Sequence, residues 1–283
     1  MTTFPVKAVI FDWAGTMIDF GCMAPVEALR DTFAAAGVPL TDAEARADMG
    51  MAKLDHLRAI LAKPEVAERW HTARGHAPGE SDVQALYAVL EPAMEAAAAR
   101  AATLIPGAAD AFAELQDLGI KVGSGTGYTR AMMAPILPAA AAQGYAPQVV
   151  ICAGETHSGR PSPLPAWAAM VALDAWPARA CIKVDDAAVG IVEGVEAGCW
   201  AIGVAASGNG VGVDAGTLAA MPEAQREAAI AAAAHTLVEA GAHVVIDDVW
   251  QLLPVVHAIA AQIAAGEYPH VLDTGAPLDA GTL

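Results

Sequence analysis

Six short apolar runs rich in Val and Ile punctuate the chain, at 7–11, 120–124, 149–152, 182–184, 200–204 and 243–246, with Ala-rich helical stretches between them. Strands that alternate with helices can bury both faces only as a parallel sheet sandwiched by helices, so the pattern predicts an α/β domain. The first four runs end in polar or glycine-rich loops, DWAGT, GTGYT, GETHSGRP and DDAAVG. In open parallel sheets a ligand sits at those carboxyl ends. Function is therefore to be sought in these four loops.

One region breaks the alternation. From 21 to 102 there is helical periodicity and no convincing strand, which predicts an all-helical cap domain (21–102) inserted into a core formed by 1–20 and 103–283. Its pieces are an amphipathic run at 24–36, a helix opening near Thr41 with acidic residues in its first turn, a loop at 75–79 and an Ala-rich helix at 81–102. Two more helices, at 221–241 and 249–265, flank the last strand.

Composition narrows the partners. A net charge of −17 disfavours nucleic acid and anionic membrane surfaces, so the expected partner is a small molecule. Although 55% of the residues are hydrophobic, the longest uncharged stretch, 131–154, carries Pro135, Pro138, Gln143, Pro147 and Gln148, which a spanning helix rarely tolerates. No membrane span is expected. The amino terminus has no basic region ahead of its apolar run, and Cys22, Cys152, Cys181 and Cys199 form no CxxC pair. Both features fit a cytoplasmic protein with reduced thiols.

Asp12 ends the first strand, where its carboxylate can act as a nucleophile or metal ligand, or simply cap the next helix. Thr126 follows the second strand beside Gly127, a place where a hydroxyl and backbone N–H groups can hold phosphate oxygens. Arg160 follows the third and Asp185 with Asp186 the fourth. Neighbouring carboxylates repel unless a cation intervenes, so Asp12, Asp185 and Asp186 together suggest a Mg²⁺ site of oxygen ligands. Each signal is weak alone, and their order on successive strand ends gives them weight.

This set, with the following GIVEGVEAG, resembles the haloacid dehalogenase superfamily, whose usual members are aspartate-nucleophile phosphatases. The resemblance implies a Rossmann-like core and a mobile cap. It also implies Mg²⁺ held by Asp12, the Ala14 carbonyl and Asp186, and phosphate held by Thr126 and Arg160. Phosphatases of this kind carry an acid two residues after the nucleophile, and here that position is Ala14. Positioned acid catalysis is worth about 10² to 10⁴ in rate, so an ester would lose its leaving group poorly.

Lys53, in DMGMAKLDH at the start of a cap helix, offers another activation. A lysine amine can form a Schiff base with an aldehyde, and the protonated imine accepts electrons from a departing carbanion. A phosphonate carbon next to that aldehyde could then leave phosphorus without an acid at position 14. Over both domains, from KAVIFDWAGTMIDFG to GAHVVIDDV, the chain is similar to the phosphonatase branch of the superfamily. That implies hydrolysis of the C–P bond of phosphonoacetaldehyde through a Lys53 imine and an Asp12 phosphoaspartate. It further implies a homodimer, for which the Ala- and Met-containing cap faces are a candidate contact. His56 and Tyr128 are then expected to relay protons, with a buried structural role for His56 as the alternative. Cys22, Met49 and Gly50 are expected to shape the aldehyde pocket. Imine formation needs a neutral amine, so the Lys53 pKa should be depressed by burial and neighbouring cations. Two competing readings remain: a phosphomonoesterase or sugar-phosphate mutase, against which Ala14 argues, and a catalytically silent binding protein. A binding module needs neither a nucleophile nor an imine-forming amine.

Overall fold

The computed structural model describes residues 4–272. Six strands, β1 (Ala8–Phe11), β2 (Lys121–Gly125), β3 (Val149–Ile151), β4 (Cys181–Asp185), β5 (Trp200–Val204) and β6 (Val244–Ile246), form one sheet in the order β3-β2-β1-β4-β5-β6, and every pairing is parallel. These coincide with the six apolar runs to within a residue or two. β1 shows why the runs read as uninterrupted apolar segments. Its four residues are fully buried, with Val9 and Phe11 packed into one core cluster and Ala8 and Ile10 into another, because successive side chains point to opposite faces and helices cover both.

The strand order reverses between β1 and β4, which opens a crevice at their carboxyl ends. Register fixes what lines it. Phe11 stands beside Ser124 and Val184, so Asp12 emerges level with Gly125 and Asp185. The Asp12 N–H continues the ladder by donating to the Val184 carbonyl at 2.9 Å.

Between β1 and β2 lie α1 (Met23–Ala35), α2 (Asp42–Arg46), α3 (Lys53–Ala62), α4 (Pro64–Arg74), α5 (Glu80–Arg100) and α6 (Ala108–Asp117), with no strand among them. Thr41 and Glu44 form a reciprocal capping box that starts α2. In α3 the buried residues Lys53, His56, Leu57, Ile60 and Leu61 follow helical spacing, so the charged Lys53 begins an otherwise apolar inward stripe. Burial of Lys53 is thus set by the periodicity of its helix. Among the described residues no helix is long and apolar enough to cross a membrane.

Candidate active site

The crevice is roofed by the helical segment. Asp12, Ala14, Cys22, Met49, Gly50, Lys53, Thr126, Gly127, Tyr128 and Asp186 line one small cavity, completed by Pro25 and Ala187. Its volume is about 20 Å³, room for little more than a water molecule. The two sides touch tightly: a side chain at Gly127 would place Cβ 2.5 Å from the Met51 carbonyl oxygen and 2.7 Å from that of Gly50. Glycine at 127 is what lets the loop after β2 and the turn before α3 meet backbone to backbone.

Three expected site residues lie just outside the cavity wall. Arg160 is buried behind Asp12 and donates from Nη1 to Asp12 Oδ1 at 2.5 Å. Asp185 is paired with Lys183, accepts the Ala187 N–H at 3.1 Å, and lies 3.5 Å from Arg160. His56 is fully buried, its ring nitrogens have no hydrogen-bond partner, and burial pushes its pKa well below 6.5. The loop after β2 differs in detail from expectation. The Thr126 N–H is spent on the Ile151 carbonyl at 3.0 Å and the Tyr128 N–H on Thr126 Oγ1 at 3.1 Å, so these two donors are not offered to a ligand.

Lys53 Nζ lies 5.6 Å from the centre of the Tyr128 ring and 3.8 Å from Met49 Sδ. Burial lowers its pKa to about 8, helped by Arg160 and opposed by Cys22 and Asp12. Burial also pushes the Tyr128 hydroxyl well above 10. The carboxylates move the other way. Burial and the charge of Asp185 raise Asp12 to about 6, and burial with Asp12 and Asp185 raises Asp186 to about 8.

Two further residues, Lys183 and Glu193, complete a buried ion network that the sequence reading missed. Glu193 Oε2 lies 2.8 Å from Arg160 Nε and 3.6 Å from Lys183 Nζ. The only signals were a lysine in the middle of a fully buried strand and a glutamate on the inner face of the helix Ala188–Glu196. Asp12, Asp185, Asp186 and Glu193 are four buried acids, set against the buried bases Arg160 and Lys183 and, from the helical side, Lys53. The acids outnumber the bases even with Lys53 counted. Asp12, Asp185 and Asp186 each offer an oxygen within 4.8 Å of the others. Asp186 is further held by Thr16 at 3.1 Å and the Asn209 N–H at 2.8 Å, and the Cys22 thiol donates to the Ala14 carbonyl at 3.0 Å. Oxygen donors with uncompensated charge fit a hard divalent metal ion.

A parallel sheet with a strand-end aspartate, a buried cation beside it and an acidic pair on the neighbouring strand defines a haloacid dehalogenase-like hydrolase, and the family model of that description matches residues 6–198. Phosphonoacetaldehyde hydrolase from Paraburkholderia phytofirmans is 48% identical over 264 residues, covering 93% of this chain and 99% of that protein. The enzyme of the same name from Syntrophobacter fumaroxidans is 40% identical over 267 residues, covering 94% and 96%. The crystal structure of a phosphonoacetaldehyde hydrolase-like protein from Oleispira antarctica superposes with a TM-score of 0.92 at 41% identity, over 95% of this chain and 99% of that one. The chain belongs to the phosphonoacetaldehyde hydrolase family of the haloacid dehalogenase-like hydrolases, a family of enzymes.

Proposed function

We propose that this enzyme hydrolyses the C–P bond of phosphonoacetaldehyde to acetaldehyde and phosphate through a Lys53 Schiff base and an Asp12 phosphoaspartate. The observation that carries the proposal is a buried amine with its pKa lowered to about 8, sharing one cavity with Asp12 while Ala14 stands where an acid is needed for ester cleavage. At pH 7 such an amine is neutral in about a tenth of molecules, against roughly one in 2,500 for a lysine of ordinary pKa 10.4.

The neutral Lys53 amine adds to the aldehyde carbon, and with uptake of one proton water departs, leaving a protonated imine. Asp12 then attacks phosphorus. The electron pair of the C–P bond moves into the iminium to give an enamine, and the phosphoryl group ends on the Asp12 carboxylate. Water cleaves the phosphoaspartate to phosphate, the enamine takes a proton at carbon, and hydrolysis of the resulting imine releases acetaldehyde and the amine. Arg160 orients the attacking carboxylate through its bond to Oδ1. Tyr128, protonated and lining the cavity with its ring centre 5.6 Å from Lys53 Nζ, is given the proton relay in this reading, and Cys22, Met49 and Gly50 enclose the aldehyde end. Asp12, the Ala14 carbonyl and Asp186, with Asp185 beside them, would hold the divalent cation, read as Mg²⁺. When bound it offsets the charge of the phosphonate against the carboxylates.

The cavity is smaller than the substrate, which supports reading 21–102 as a cap that opens for entry and closes for reaction. A homodimer in the cytoplasm completes the proposal, the four free buried cysteines fitting a reducing compartment. Size-exclusion chromatography with light scattering decides the dimer.

The test of the chemistry pairs acetaldehyde release, followed with a coupled dehydrogenase, with borohydride trapping read by mass spectrometry. Wild type should release acetaldehyde and trap one substrate carbon skeleton at Lys53. Lys53→Arg should do neither, and a simple phosphate ester should turn over poorly. Ester turnover that survives Lys53→Arg, without acetaldehyde, would overturn the proposal.

A further inference from the structure

Arg46 ends α2 and reaches across to the core. Its Nη1 donates to the Gly21 carbonyl at 2.8 Å and to Asn209 Oδ1 at 3.2 Å, and its Nη2 donates to the Gly212 carbonyl at 2.9 Å. Asn209 answers by donating from Nδ2 to the Arg46 carbonyl at 3.0 Å. Accepting at Oδ1 while donating from Nδ2 fixes which way the amide faces. The backbone N–H of the same Asn209 donates to Asp186 Oδ2 at 2.8 Å. An unbroken line of bonds therefore runs from the helical segment, through one residue of the loop after β5, to a carboxylate of the acidic cluster.

The loop is shaped to receive this arginine. At Gly212, where φ is +68°, a Cβ would sit 2.8 Å from Arg46 Cζ, so any side chain there displaces the guanidinium. The other end of the loop is pinned too: the Ser207 carbonyl accepts the Gly21 N–H at 2.7 Å, and Ser207 Oγ donates to the Gly15 carbonyl at 2.7 Å. Gly21 is the point at which the chain leaves the core for the helical segment, and Gly15 follows the Ala14 carbonyl. The loop thus touches the stretch by which the chain leaves the core, the segment it leads to and Asp186 at once.

We propose that Arg46 and Asn209 are positioning residues that couple seating of the helical segment to cation binding at Asp186. Neither touches the reacting atoms. With Arg46 engaged, Asn209 is held with its N–H on Asp186 and the carboxylate faces the cluster. With Arg46 withdrawn, the loop loses three of its anchors and Asp186 loses an oriented donor. Coupling of this kind is reciprocal, so a bound cation must also tighten the hold on Arg46. The inference rests on reading Asp186 as a cation ligand and is independent of which substrate is cleaved.

Removing a group that orients a metal ligand typically weakens metal affinity by about 10 to 100-fold. Mg²⁺ binding by calorimetry, with no substrate present, should weaken by about tenfold or more in Arg46→Ala and in Asn209→Ala. The double variant should be no worse than the weaker single one, because the two residues act in series. Arg46→Lys, which keeps one charged donor, should recover part of the loss. Amide hydrogen exchange across 207–213 should speed up in both alanine variants, and Mg²⁺ should slow it strongly only in wild type. Mg²⁺ affinity and loop exchange that match wild type in both alanine variants would overturn the proposal. If Arg46→Ala does not fold, Arg46→Lys and Asn209→Ala decide by the same readings. A wild type that makes no acetaldehyde, yet shows Arg46-dependent Mg²⁺ affinity, would sink the substrate assignment and leave the coupling standing.

Discussion

Asp12, Asp185 and Asp186 stand at strand ends whose positions are set by a hydrogen-bonded parallel register, whereas Lys53 and Met49 reach the cavity from the first turn of α3 and from the turn before it, both held by side-chain packing. The two sides also differ in charge. The sheet side buries four carboxylates against two cations, and the helical side contributes one lysine with no acidic partner of its own in the cavity. A register error on the sheet side would need several ladder hydrogen bonds to break, so its backbone holds its geometry whether or not the roof is in place, and only the Asp186 side chain is tied to the roof, through Asn209. Lys53 has its unusual pKa only while it is buried, since burial is the leading cause of the shift. On the proposed mechanism the sheet side is a standing phosphoryl-transfer site, and the helical side switches on the carbonyl chemistry when it closes over it.

The strongest way to separate the two sides is Asp12→Asn. It removes the nucleophile and leaves the amine, so acetaldehyde release should fall by at least about 10⁴-fold while borohydride still traps substrate on Lys53. Loss of trapping along with turnover would show that the two sides do not work independently. Gly190→Ala acts on the sheet side from behind. A Cβ at this position would collide with the Asp185 carboxylate, which is held there by Lys183 and the Ala187 N–H. Overpacking of this kind costs about 1–3 kcal/mol, to be read from a thermal melt. The displaced Asp185 should drag Arg160 off Asp12 and cut turnover by about 10²-fold, the scale expected of a small misplacement of reacting groups. Trapping at Lys53 should persist here as well.

These two substitutions mark what the sequence could and could not convey. The strands, their order of loops and the acidic residues on them were legible because a buried parallel strand is predominantly apolar, so a polar residue at its end, Asp12 or Asp186, announces itself. Lys53 drew attention through the missing acid at Ala14 together with its DMGMAKLDH context, neither of which could show that it is buried. Glu193 and Lys183 were not legible, because a charged residue reads as solvated unless its neighbours in space are known, and Glu193 meets Arg160, 33 residues away, and Lys183, ten residues away. Arg46 gave no signal at all: it sits in a polar stretch, TDAEARAD, that any exposed helix could carry. For His56 the resemblance offered a proton relay and a buried structural role, and its spacing from Lys53 puts it in the apolar stripe of α3.

The helical side makes its own prediction in pH. The reactive form of Lys53 is the neutral amine, so the initial rate of trapping should be flat above about pH 8 and fall about tenfold per unit below it. The sign follows from burial, which disfavours the charged form and lowers the pKa of a lysine. A profile still rising at pH 10 would mean that the amine keeps its ordinary pKa, and the switching role of the roof would go with it.

Met49→Leu sharpens the same point with the smallest expected effect. Met49 Sδ is 3.8 Å from Lys53 Nζ, close enough for the polarisable sulfur to receive the ammonium, and Met49 itself is buried. Leucine keeps nearly the same volume and apolar cover but removes the sulfur, a swap that usually costs less than about 1.5 kcal/mol. If burial sets the Lys53 pKa, the midpoint of the trapping profile should stay near 8 and turnover should change by no more than about twofold. If the sulfur were stabilising the ammonium appreciably, removing it would drive the midpoint down and raise trapping at pH 7. A fall in trapping with an unmoved midpoint would instead assign Met49 to shaping the aldehyde pocket, and the three outcomes are distinguished by one pH series on one variant.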